Sequence, residues 1–173
     1  MNIKKTRMGN AAMSRRLTIT LALPVCALLA GTLPSFALDV TKTVDDQAAP
    51  AKVWSVIGDF CGIGQWHPAI EKCALSTDGG KTMRTLGLKG GGTIVESQTK
   101  RDDKAMSYTY AIVSGPLPVS DYSSTISVMP KGTGSTVNWT GSFKAKGAPD
   151  AVAIDAISGI YDSGLKAIAD KSK

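Results

Sequence analysis

The 173-residue chain carries 20 Lys and Arg against 14 Asp and Glu, a formal charge of +6. Five of the basic residues and none of the acidic ones lie in the first 37 positions, so the remainder carries only +1. That balance gives no electrostatic argument for binding nucleic acid or an anionic membrane surface. His67 is the single histidine and no Cys-X-X-Cys motif occurs, which argues against a metal site.

The order of segments at the N-terminus predicts a cleavable signal peptide over residues 1–37. A basic stretch precedes an apolar run, Leu17–Leu33, and small residues occupy positions −3 and −1 of a cut after Ala37. Pro24 lies inside the run and Pro34 directly follows it, and the run is short for a bilayer span, which disfavours the alternative of a stable membrane anchor. We therefore expect a periplasmic protein whose mature part, residues 38–173, is one domain with its own hydrophobic core.

Two cysteines remain in the predicted mature chain. Cys26 would leave with the signal peptide, whereas Cys61 and Cys73 would stay. In an oxidising compartment they are expected to form a disulfide, the alternative being two buried thiols. On the chain-entropy model, closing a loop of this size stabilises the fold by about 3 kcal/mol.

The mature chain begins with a predicted strand, Leu38–Val44, and two short helices. Pro50 suits the first position of a helix that Gly58 ends, and a second helical segment over residues 61–66 stops before Pro68. Glycine, proline and aspartate turns then separate six predicted strands: Ile70–Leu75, Lys81–Leu88, Thr93–Lys100, Met106–Val113, Tyr122–Met129 and Ser135–Phe143.

A long helix, Asp150–Asp170, is predicted at the C-terminus from the apolar stripe Ile154, Ile157, Tyr161, Leu165 and Ile168. Gly159 and Gly164 interrupt this helix, either for close packing on the sheet or to leave room for a ligand. Strands followed by one long helix predict an α+β domain in which a curved antiparallel sheet packs around the helix.

Strand alternation assigns an inner face that is mostly apolar and aromatic. A hairpin centred on Gly90 pairs Leu86 with Ile94 and Arg84 with Glu96 on this face. A three-residue loop after the next strand would place Glu96 opposite Tyr110. The turn Lys131–Gly134 pairs Ile126 with Trp139. A charged pair on such a face is either structural, near the sheet edge, or a polar anchor in a ligand cavity.

The sequence also resembles a known superfamily. The segments Ala49–Trp54, Asp59-Phe60 and Trp66–Ile70 resemble the N-terminal signature of START/Bet v 1-like (SRPBCC) proteins. A further set resembles the exported polyketide cyclase/dehydrase-like branch, which includes MxaD-type proteins encoded near periplasmic methanol dehydrogenases: Arg84, Gly90–Gly92, Glu96, Tyr108–Tyr110, Gly115–Val119, Asp121-Tyr122, Trp139 and Phe143.

The resemblance covers nearly all of residues 38–173 and implies a helix-grip fold. Such a fold has about seven curved strands around the C-terminal helix, two short helices near the N-terminus, a ligand cavity between sheet and helix, and no cofactor. Together with strand alternation, it nominates eight residues for ligand binding: Trp66, His67, Arg84, Glu96, Tyr108, Tyr110, Tyr122 and Trp139.

Three functions fit these residues. Binding of a small apolar or aromatic molecule requires only the cavity and is favoured. A role as accessory to a periplasmic dehydrogenase follows from the resemblance. A cyclase or dehydrase would use Glu96 as general base, with Tyr110 or Arg84 as donor and His67 as a further candidate. For that last function the ion pair is a disadvantage, because we expect Arg84 to hold the pKa of Glu96 low.

Overall fold

The computed structural model describes residues 36–173, so the predicted signal peptide, apart from its last two positions, lies outside the described residues. The described chain forms seven strands and three helices: β1 Leu38–Asp46, α1 Pro50–Ile57, α2 Ile63–Trp66, β2 Ile70–Asp78, β3 Lys81–Leu88, β4 Thr93–Asp102, β5 Ser107–Ser114, β6 Val119–Lys131, β7 Gly134–Ala145 and α3 Asp150–Lys171. None of these helices is both long and apolar enough to cross a bilayer.

All seven strands form one antiparallel sheet in the order β1-β7-β6-β5-β4-β3-β2. Helix α3 packs on its concave face, where the core is built from alternate strand residues. This is the predicted α+β helix-grip arrangement. The short helix α1 begins at Pro50, as predicted, and ends where the Gly58 N–H donates to the Trp54 carbonyl at 2.7 Å.

Two hairpins have the predicted register. Around the Gly90 turn, Arg84 pairs with Glu96 and Leu86 with Ile94. In the β6–β7 hairpin, Ile126 pairs with Trp139. In both, a glycine-containing turn of fixed length aligns the two apolar faces, so side-chain alternation determines the pairing.

The predicted register between β4 and β5 is wrong. Glu96 lies opposite Ile112, and Tyr110 lies opposite Gln98. The connecting loop is residues 103–106, longer than the three residues expected, and a bulge between Gln98 and Lys100 restores the alignment of the inner faces. An extra residue in one strand switches the faces to which the following side chains of that strand point. The longer loop and the bulge together keep both side chains on the inner face and leave Tyr110 two positions away from Glu96.

The predicted disulfide is present. Cys61 and Cys73 are bonded with their Cα atoms 5.6 Å apart, which joins the α1–α2 connection to edge strand β2. A Cβ at Gly64 in α2 would lie 3.4 Å from the Cys73 Cβ, so the short helix lies directly on that strand.

The two glycines of α3 have different surroundings. A Cβ at Gly164 would lie 2.6 Å from the Trp139 ring and 2.8 Å from the His67 ring, whereas a Cβ at Gly159 would have no neighbour within 4 Å. Gly164 therefore serves close packing of the helix on the sheet and on α2. The alternative that it leaves room for a ligand does not hold at that position.

This contrast makes a matched stability test. Gly164→Ala should lower the free energy of unfolding by about 1–3 kcal/mol, because the added methyl overpacks a buried contact. Gly159→Ala should raise it by roughly 0.5–1 kcal/mol through helix propensity alone. Urea unfolding of both variants measures the difference, and equal effects of the two changes would contradict the packing of α3 described here.

Candidate functional site

A cavity of about 360 Å³ lies between the sheet and α3. Its volume is within the range of roughly 300–1,000 Å³ that is usual for small-molecule sites. Most of the wall is aliphatic, contributed by α2, α3, strands β2 to β5 and the loop after β5: Ile63, Ile70, Leu86, Leu88, Ile94, Ile112, Leu117, Ile157 and Ile160. Lys89 and the adjacent glycines, all exposed, form part of the rim.

A buried ion pair lies beside the cavity. Arg84 is 0% exposed, and its Nε donates to Oε2 of Glu96 at 2.5 Å. Its Nη1 donates to the Phe60 carbonyl at 2.5 Å, and the guanidinium lies 4.1 Å from the Phe60 ring centre and 4.8 Å from that of Tyr110. Glu96 lines the cavity and Arg84 lies behind it.

The pKa expected for Glu96 is wrong in direction. Burial raises the pKa of the Glu96 carboxyl above its ordinary value, and the opposing attraction of Arg84 does not fully offset it. Removing water penalises the charged form of a carboxyl, and this penalty grows with depth. The sequence places Arg84 beside Glu96 but does not reveal how completely both side chains are enclosed.

A hydrogen-bonded network of polar side chains underlies the aromatic part of the wall. Ser124 Oγ donates to the Thr140 carbonyl at 2.7 Å and lies 2.8 Å from the Tyr161 hydroxyl, which in turn lies 2.6 Å from the Tyr122 hydroxyl. Burial raises the pKa of Tyr161 to about 12 and that of Tyr122 well above its ordinary value, so both keep their protons at neutral pH.

Trp139 joins this network to Tyr110. Its indole Nε1 lies 3.0 Å from Ser124 Oγ and 3.1 Å from the Tyr110 hydroxyl, and its ring stacks on Tyr161 at 4.5 Å between centres. Gly141 leaves the space that the Tyr161 hydroxyl occupies. The network therefore fixes the orientation of the aromatic rings that face the ligand space.

His67 is held in one tautomer. Its Nε2 lies 3.1 Å from the Ile160 carbonyl, which can only accept, and its Nδ1 accepts from the Ala69 N–H at 3.2 Å. Burial lowers the pKa of the imidazole, which favours this neutral form. Both ring nitrogens are thus engaged, Nε2 with α3 and Nδ1 with the backbone two residues along the chain, which favours the structural interpretation of this histidine over a catalytic one.

The structure divides the eight nominated residues into two groups. Five line the cavity: His67, Glu96, Tyr110, Tyr122 and Trp139. The other three, Trp66, Arg84 and Tyr108, are buried behind the wall. Trp66 packs edge-on against Trp139 at 5.8 Å, and Tyr108 contacts Phe60 and Tyr110.

Most aliphatic residues of the wall were not nominated from the sequence. Leu86 and Ile94 could have been, because their predicted pairing already placed them on the inner face beside Arg84 and Glu96. Ile160 could not, because it lies off the apolar stripe of α3 and is only half-buried. An apolar stripe on a helix identifies the residues that pack against the sheet. It does not identify residues such as Ile160 that border a cavity.

Comparison with known proteins identifies the family. A model of the family described as "Polyketide cyclase / dehydrase and lipid transport" matches residues 37–173. The chain belongs to this family. The protein XoxI from Bacillus cereus is similar at 36% identity over 77% of this chain and 94% of that one, with a TM-score of 0.73. An uncharacterized protein from Bacillus thuringiensis is similar at 34% identity over 78% of this chain and 98% of that one, with a TM-score of 0.72.

A more distant member of the fold is an enzyme. The ZhuI aromatase/cyclase from Streptomyces sp. R1128 has a TM-score of 0.61 and 18% identity over 79% of this chain and 94% of that one, a similarity of fold alone. Among curated proteins, none matches this chain. Membership of the polyketide cyclase/dehydrase and lipid transport family supports the resemblance to START/Bet v 1-like proteins, while the narrower MxaD-like placement stays a prediction.

The ion pair can be tested by a double-mutant cycle in urea. Arg84→Met should destabilise the fold by about 3–5 kcal/mol, because it leaves the buried Glu96 carboxylate without its partner. Glu96→Gln alone completes the cycle, and the double variant Arg84→Met/Glu96→Gln should lose less than the single Arg84 change. Lys166→Met, in the exposed α3 pair with Asp170, is the control and should cost under about 0.5 kcal/mol. A loss below ~1 kcal/mol for Arg84→Met would refute the pairing.

Proposed function

We propose that this protein binds a small, largely apolar molecule in the cavity between the sheet and α3. The observation that carries the proposal is the cavity itself, whose wall is mainly aliphatic and aromatic and includes the single carboxylate of Glu96. Apolar walls supply affinity through burial of ligand surface, and a few oriented polar groups select the ligand. Membership of a family that includes lipid transport in its description supports the same function.

Catalysis on a polyketide-like substrate is less well supported by the site. It would require Glu96 to exchange a proton with the substrate, and one oxygen of its carboxylate is held by Arg84 at 2.5 Å. It would also require a second group that exchanges a proton. Both nitrogens of His67 are already hydrogen-bonded, and burial raises the pKa of Tyr110 well above its ordinary value, so Tyr110 can donate a hydrogen bond but holds its proton. Binding asks only for an enclosed apolar space with an oriented polar group.

A cavity-filling substitution tests the binding proposal. Ile160→Trp, in the wall, should weaken binding of the neutral fluorescent probe N-phenyl-1-naphthylamine by roughly tenfold or more, because the larger ring occupies ligand space. Val152→Trp, on the exposed face of the same helix, is the matched control and should leave the affinity unchanged. Equal probe affinity of wild type and Ile160→Trp would refute binding at this site.

We also propose that the protein is exported and acts in the periplasm, in the manner of the MxaD-like proteins that it resembles. The basic, apolar and small-residue segments of positions 1–37 support export, and the Cys61–Cys73 disulfide is compatible with an oxidising compartment. An accessory role beside a periplasmic dehydrogenase rests on the sequence resemblance.

Export predicts the N-terminus of the mature protein. Edman sequencing of the periplasmic fraction from a Gram-negative host should begin at Leu38, because the cut is expected after Ala37. A periplasmic protein that retains Ser14–Ala37, or a protein found entirely in the cytoplasm, would contradict the proposal.

A further inference from the structure

The hydrogen-bond network beneath the cavity determines where its protons point. Ser124 Oγ donates its one proton to the Thr140 carbonyl, so it accepts from both Tyr161 and Trp139. A hydroxyl has one proton and two lone pairs, so Ser124 is fully occupied. Tyr161 donates to Ser124 and therefore accepts from Tyr122.

This ordering leaves one donor unused at the cavity wall. The single indole N–H of Trp139 is shared between Ser124 Oγ and the Tyr110 oxygen, and since an N–H can only donate, Tyr110 accepts in this contact. Among the described residues Trp139 is the one hydrogen-bond partner of the Tyr110 hydroxyl, so the proton of that hydroxyl has no acceptor. Burial raises the pKa of Tyr110 well above its ordinary value, so the hydroxyl keeps this proton. Tyr110 lines the cavity, where a ligand can accept the proton.

One acceptor is unused at the same cavity. Oε2 of Glu96 is bonded to Arg84, whereas Oε1 makes no hydrogen bond within the described part of the chain, and the residue lines the cavity. The Arg84 guanidinium keeps its charge at any physiological pH, so the pair is formally neutral. Oε1 is therefore a hydrogen-bond acceptor beside a compensated charge.

From this pair of unused groups we infer that the inner end of the ligand carries a neutral hydroxyl, as in an alcohol or a phenol. The hydroxyl donates to Glu96 Oε1 and accepts from the Tyr110 hydroxyl. The inference rests on the proposed function, because it names the class of molecule that the same cavity takes.

Other end groups satisfy this pair less well. A ligand carboxylate cannot donate to Glu96 and adds an uncompensated negative charge to a buried site. An ammonium group donates to Glu96 but cannot accept from Tyr110. A hydrocarbon leaves both protein groups unpaired once water is displaced. The cavity should therefore favour fatty or aromatic alcohols over the corresponding acids.

Three probes with the same ring system test the inference at pH 7: 2-naphthol, naphthalene and 2-naphthoate. Each competes with N-phenyl-1-naphthylamine for the wild-type protein. We expect 2-naphthol to bind roughly tenfold or more tightly than naphthalene, since it pairs with a charged acceptor, and 2-naphthoate to bind most weakly.

Two variants on β5, each lacking one hydroxyl, locate the effect. Tyr110→Phe should remove much of the 2-naphthol advantage and leave naphthalene binding unchanged. Trp139 still has Ser124 as an acceptor in this variant. Thr109→Val is the control, because Thr109 lies on the opposite face of the same strand, where its hydroxyl contacts Thr125, and it should leave all three affinities unchanged. Urea unfolding of both variants checks that the fold is intact.

The outcomes separate the two proposals. If the three probes bind wild type with similar affinity, or 2-naphthoate binds best, the hydroxyl inference is overturned while binding in the cavity stands. If no probe binds, both fail. The wild-type series decides the matter even if Tyr110→Phe does not fold.

Discussion

A fully buried guanidinium, that of Arg84, is the interaction on which this fold and its candidate site both depend. Removing such a charge from water costs several kcal/mol, which is offset only while its partners stay in place. Those partners are the Glu96 carboxylate on β4, the Phe60 carbonyl before α2 and the faces of two aromatic rings. The charge therefore constrains two strands and the helical connection together.

The ion pair between Arg84 and Glu96 also provides a polar group in the wall of the cavity. Oε2 of Glu96 is occupied by the arginine, while Oε1 stays available to whatever enters the cavity. The two interpretations of the pair, structural and ligand-anchoring, are thus compatible because they use different oxygens of one carboxylate. Arg84 acts on a ligand only indirectly, by holding Glu96 in place.

Side-chain alternation and turn chemistry were enough to predict most of the sheet. Arg84 and Glu96 were placed opposite each other because a run of glycines fixes the hairpin between them. The predicted partner of Tyr110 is wrong because the β4–β5 loop is longer than expected and a bulge adds a residue to β4. Both depend on strand twist and neighbouring packing more than on any residue type. The depth at which Glu96 is buried depends likewise on how the helices pack on the sheet. This depth makes the pKa shift of Glu96 opposite in direction to the one expected from the sequence.

The pairing of β1 with β7 bears on when this chain can fold. Leu38, the first residue of the sheet, lies opposite Phe143, so the two strands meet only after almost the whole domain has been synthesised. Contacts so distant along the chain form slowly, because a long loop must close before they are gained. A polypeptide translated from its N-terminus therefore lacks a complete sheet until late in synthesis. This delay would suit the proposed export, because a channel that admits only unfolded polypeptide requires a chain whose sheet is not yet complete.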